Sequence, residues 1–158
     1  MLPSRLLLIG QNFPNLGIPD VGAEARRQLE CGNFAARLRP GERVAIGVGS
    51  RGIANIATIV ESTARYWRDR GMQPFIFPAM GSHGAATAEG QVNVLAQLGI
   101  TEQSAGCPIV SRADVVSLGD TEEGVEVFMD AAAYAADGVM IIARVKWHTS
   151  FHGRLENT

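Results

Sequence analysis

Short apolar runs alternate along the chain with longer segments whose apolar residues recur at helical spacing. Four runs suit strands: Arg5-Leu6-Leu7-Leu8-Ile9, Arg43-Val44-Ala45-Ile46-Gly47-Val48, Pro74-Phe75-Ile76-Phe77-Pro78, and the segment from Gly138 to Val145. The second and third are continuously apolar, as strands buried on both faces are. Between the runs, helices are predicted from Asp20 through Leu38, closed by Pro40-Gly41, and along Ile53, Ile56, Ala57, Val60, Ala64 and Trp67, with Gly71 as the stop. A third carries Ala88, Val92, Leu95 and Leu98 on one face and ends at Gly99. Two strand-like pieces, Val115–Leu118 and Val125–Phe128, flank the turn Thr121-Glu122-Glu123-Gly124, and a small helix spans Ala131–Ala136. Strands alternating with helices imply βαβ units. The expected fold class is α/β, Rossmann-like, with a mostly parallel sheet, helices on both faces and a small β-hairpin excursion.

Composition narrows the picture by exclusion. The 158 residues suffice for one α/β domain with a substantial core, and 46% hydrophobic with 19% charged residues is a globular mixture. A net charge of −2 gives no basic footprint for nucleic acid. No stretch approaches the ~18 apolar residues of a membrane span, and the N-terminus lacks a signal-peptide pattern. Cys31 and Cys107 lie far apart without a CxxC pairing, so both are read as buried small hydrophobes in a cytoplasmic protein.

Ligands of open α/β sheets bind beyond the carboxyl ends of the strands. Three polar segments fall there. In Gly47-Val48-Gly49-Ser50-Arg51-Gly52, glycines permit close backbone approach and Arg51 offers a bidentate clamp for a carboxylate or phosphate. The same segment also reads as a tight strand–helix turn with a solvated arginine. In Met80-Gly81-Ser82-His83-Gly84, a histidine among glycines has little to pack against and suits acid/base work near neutral pH, although a structural role fits too. In Lys146-Trp147-His148-Thr149-Ser150-Phe151-His152-Gly153, His148 is expected to face the cleft. Gly153 and the residues between the two histidines argue against the helical two-histidine metal motif. Asp114, Asp120, Glu122, Glu123 and Glu126 read as solvated charges, and Thr87 and Glu89 as the start of a helix.

With these segments in hand, the chain from about residue 40 onward resembles the N-terminal domain of the nickel-pincer lactate racemase family. The resemblance is carried by Gly49-Ser50-Arg51-Gly52-Ile53-Ala54-Asn55, by the run from Pro78 to Gln91 (PAMGSHGAATAEGQ), and by the run from Arg144 to Gly153 (RVKWHTSFHG). It implies racemisation or epimerisation of a 2-hydroxy acid, with hydride passed to a nickel-pincer nucleotide. It also implies His83 and His148 as opposed acid/bases, and Arg51 with Ser50 as the substrate grip. Gly49, Gly52, Gly81 and Ser82 would face the cofactor, with no metal ligand in this chain. Val48 stands where the racemases carry an acid, and Trp147 where a proline is common. The family's pincer-anchoring lysine and nickel-ligating histidine follow the His148 block. The expectation is therefore an N-terminal fragment of a two-domain protein, its partners the missing C-terminal domain and a small hydroxy acid, and self-association compatible with it. Such a fragment would neither hold the cofactor covalently nor turn over substrate. The alternative is a non-catalytic nucleotide- or carboxylate-binding module. A hydrolase is a third idea, weakened because neither Ser50 nor Ser82 lies in GxSxG.

Overall fold

The computed structural model describes residues 8–50 and 52–144. In chain order the elements are α1 (Val21–Cys31), β1 (Arg43–Val48), α2 (Ile56–Arg68), β2 (Gln73–Pro78), α3 (Ala88–Gln97), α4 (Glu102–Ala105), β3 (Val115–Asp120), β4 (Glu126–Asp130), α5 (Ala131–Tyr134) and β5 (Gly138–Ile142). Single turns of 3-10 helix lie at Phe34–Arg37 and His83–Ala86.

The two continuously apolar runs become the heart of a three-stranded parallel sheet of order β2-β1-β5. Successive side chains of a strand point to opposite faces, so a run apolar at every position needs cover on both. One face of the sheet, bearing Val44, Ile46, Val48 and Ile76, packs with Val60, Ala64 and Trp67 of α2, Leu95 of α3 and Ile100. The other, bearing Ala45, Phe75 and Phe77, packs against Ala133 of α5. The outer edge of β2 is partly closed by the segment around Ile109, where Ile76 N donates to Pro108 O and Val110 N to Ile76 O at 2.9 and 2.8 Å. Strands β3 and β4 form a separate antiparallel hairpin at the expected place. The fold is thus mixed α/β, with a parallel sheet and an accessory hairpin.

The structure corrects several boundaries. Leu8 and Ile9, the described part of the expected first strand, lie outside any strand and are exposed. The helix expected from Asp20 to Leu38 stops at Cys31, because Gly32 is followed by Asn33 in the left-handed region, φ 46°. Asp20 itself is the N-cap, accepting from Ala23 N at 2.9 Å. The second helix starts at Ile56 rather than Ile53, after Asn55 at φ 58°. Strand β5 ends at Ile142, short of the expected Val145. Cys107 is buried as expected, but Cys31, at the end of the solvated helix α1, is exposed.

Candidate functional site

The parallel register brings the ends of β1 and β2 side by side, Val48 opposite Pro78. Two backbone bonds fix the exits: Ala79 N donates to Val48 O at 2.9 Å, and Gly49 N donates to Ile142 O at 3.0 Å. Gly49-Ser50 is therefore held between its two neighbouring strands. Val48 is fully buried in the core, so the position where the resembled racemases carry an acid faces packed side chains.

The loop after β2 bears His83. Buried Met80 anchors its start, and His83 N donates to Met80 O at 3.3 Å. Gly81 and Gly84 take φ of +58° and +63°, and Ala85 and Ala86 follow at 58° and 54°. The left-handed region costs a residue with a Cβ about 1–2 kcal/mol, so two consecutive alanines there are strained. The surroundings enforce the shape. Gln91 Nε2 donates to Gly81 O at 2.9 Å, Thr87 Oγ1 donates to Gly84 O at 3.0 Å, and Gly90 N donates to Thr87 Oγ1 at 3.0 Å. Thr87 caps α3, with Glu89 in the first turn, as the sequence predicts.

The two loops meet through side chains. Ser50 Oγ lies 2.8 Å from His83 Nδ1, with both residues half-buried. The sequence pointed to both residues separately but not to their pairing, which joins positions 33 apart in the chain. Ser50 is not among the described residues with positive φ, so it does not occupy the strained strand–helix elbow of α/β-hydrolase nucleophiles.

The glycines contribute unequally. A Cβ on Gly49 would meet Ile142 O at an ordinary 3.5 Å, so space alone does not demand glycine there. Gly52 has φ +51° and faces Arg144, whose Nη1 donates to the Gly52 carbonyl at 3.2 Å. Gly81 opens onto empty space, and Ser82 is exposed. Helix α2 begins three residues past Ile53, so no helix N-terminus directly follows Gly52. Arg144 is a cation at this end of the sheet to which the sequence reading gave no role of its own. Its one signal was position, directly after the apolar run of β5. Arg51 and His148, with Lys146 and His152, lie outside the described residues.

An open cleft of about 480 Å³ lies on the α2 side of β5. Ile53, Ile59, Met140, Ile142 and Ala143 contribute to an apolar lining near the same strand ends. Among the described residues no three His, Cys, Asp or Glu side chains gather as metal ligands. Among them, too, no helix is long and apolar enough to cross a membrane. What the arrangement can do is hold an imidazole in a defined orientation at the mouth of a parallel sheet, with exposed backbone of Gly81-Ser82 beside it. Comparison of the chain with models of protein families, with curated proteins and with solved structures finds no match.

Proposed function

We propose that this chain is the N-terminal part of a racemase or epimerase acting on a 2-hydroxy acid, with His83 as one of two acid/base groups. The observation that carries the reading is the 2.8 Å contact between Ser50 and His83, which ties the two strand-end loops into one site. The strained run Gly84-Ala85-Ala86 beside His83 supports it, since such conformations collect at working sites. The resemblance supplies the rest of the assignment. Arg51 pairs with the substrate carboxylate, while His83 removes or returns the hydroxyl proton at C2 on one face and His148 does so on the other. Inversion needs two opposed bases, because each serves one enantiomer. The resemblance also implies a nickel-pincer nucleotide as hydride carrier, with Gly49, Gly52, Gly81 and Ser82 beside it. No step here runs through it.

The experiment is chiral chromatography of single-enantiomer 2-hydroxy acids, lactate first, incubated with the product of the complete gene loaded with the nickel-pincer nucleotide. Inversion that disappears in His83→Asn supports the reading; no inversion of any acid tested contradicts it. The buried Val48 favours a second reading, a module that binds a carboxylate or nucleotide without chemistry. Binding of these anions without turnover by the complete gene product would select it.

A further inference from the structure

We infer that Ser50 is a positioning residue rather than a substrate contact: its Oγ accepts the Nδ1 proton of His83 and holds the ring in the tautomer whose Nε2 exchanges protons. The inference rests on the reading of His83 as an acid/base and specifies which of its nitrogens works.

A neutral imidazole carries one proton, and the nitrogen without it is the base. If Nε2 takes a proton from a substrate hydroxyl, Nδ1 must hold its own proton before the transfer. In the imidazolium formed, Nδ1 is protonated as well. One acceptor at Nδ1 therefore serves both states, and Ser50 Oγ stands at 2.8 Å, within hydrogen-bond range. The opposite polarity, with the serine hydroxyl donating to Nδ1, would place the proton on Nε2 and disable it as a base. Serine proteases orient their histidine by the same logic, with a buried carboxylate on Nδ1. Here a neutral hydroxyl does so and adds no charge beside an anionic substrate. The geometry is fixed from both sides. Gly49 N is tied to Ile142 O just before Ser50, and His83 N is tied to Met80 O. Serine's single side-chain torsion then leaves Oγ few positions to occupy.

The test is nitrogen NMR of the chain labelled at histidine with 15N, the His83 ring signals being assigned by their absence in His83→Asn. Couplings between ring nitrogens and ring protons report which nitrogen is protonated. The expected result is Nδ1–H in the wild type, a shift toward Nε2–H in Ser50→Ala, and retention of Nδ1–H in Ser50→Thr, which keeps the hydroxyl. An unprotonated Nδ1 in the wild type, or a Ser50→Ala spectrum identical to it, overturns the inference. Should Ser50→Ala fail to fold, the wild-type and Ser50→Thr spectra decide alone. In the complete gene product, Ser50→Ala should lower kcat by about tenfold or more with little change in KM, and Ser50→Thr should restore it. Inversion by a protein whose His83 is in the Nε2–H form removes the Ser50 assignment only. A ring in the Nδ1–H form without inversion removes the racemase reading only.

Discussion

Gly84 and Gly90 touch backbone to backbone: a Cβ on Gly90 would fall 1.9 Å from Gly84 O, and one on Gly84 2.3 Å from the carbonyl carbon of Gly90. This contact presses the His83 loop onto the first turn of α3. Neither partner can yield cheaply, because both are main chain.

Gly90→Ala therefore inverts the usual helix rule. In an open helix the change would gain up to about 1 kcal/mol. Here it should cost about 2–4 kcal/mol, because the added methyl displaces the loop backbone. Thermal unfolding measures the sign, and an unchanged or raised Tm would contradict the contact.

Ala85 is the converse case. It has a Cβ at φ 58° where glycine would be unstrained. Ala85→Gly should stabilise the fold by about 0.5–1 kcal/mol, the left-handed penalty less the added chain entropy of glycine. Urea titration with an unchanged m-value would show it. A loss of stability would mean that Ala85 is not held in the left-handed region.

Burial pushes the Cys107 thiol up to about 11 from its ordinary 9.0, Glu102 adding to the rise and Arg68 opposing it. The unfolded chain loses this proton near pH 9 while the folded chain keeps it. Between about pH 9 and 11 the folded state thus binds more protons, and stability falls as pH rises. Relative to Cys107→Ala, the wild type should lose on the order of 1–2 kcal/mol across that window. Equal slopes for the two proteins would contradict the shift. Thiol labelling at pH 8 should modify exposed Cys31 well before Cys107.

Much of this architecture is legible in the sequence. The runs at Val44–Val48 and Pro74–Phe77 suit strands covered on both faces and form them, and the helical spacing of Ile56, Val60, Ala64 and Trp67 marks the face of α2 that packs on the core. Gly71 and Gly99, at φ +79° each, end their helices where expected. The two misplaced helix boundaries share a cause. Asn33 and Asn55 turn the chain through the left-handed region, a choice that apolar periodicity does not encode. The pairing of Ser50 with His83 depends on the parallel register of two strands, which no local pattern specifies. Arg51 and His148, read from pattern and resemblance, lie outside the described residues.

The central claim is that the Ser50–His83 pair marks a site for a 2-hydroxy acid at the carboxyl ends of β1 and β2. Its most direct test is titration of the 15N-labelled chain with D-lactate and then L-lactate, followed by amide NMR. The account predicts saturable shifts at Gly49, Ser50, Gly81, Ser82 and His83 with both enantiomers, abolished in Arg51→Ala. The absence of saturable shifts, or shifts confined to residues remote from these loops, would contradict it.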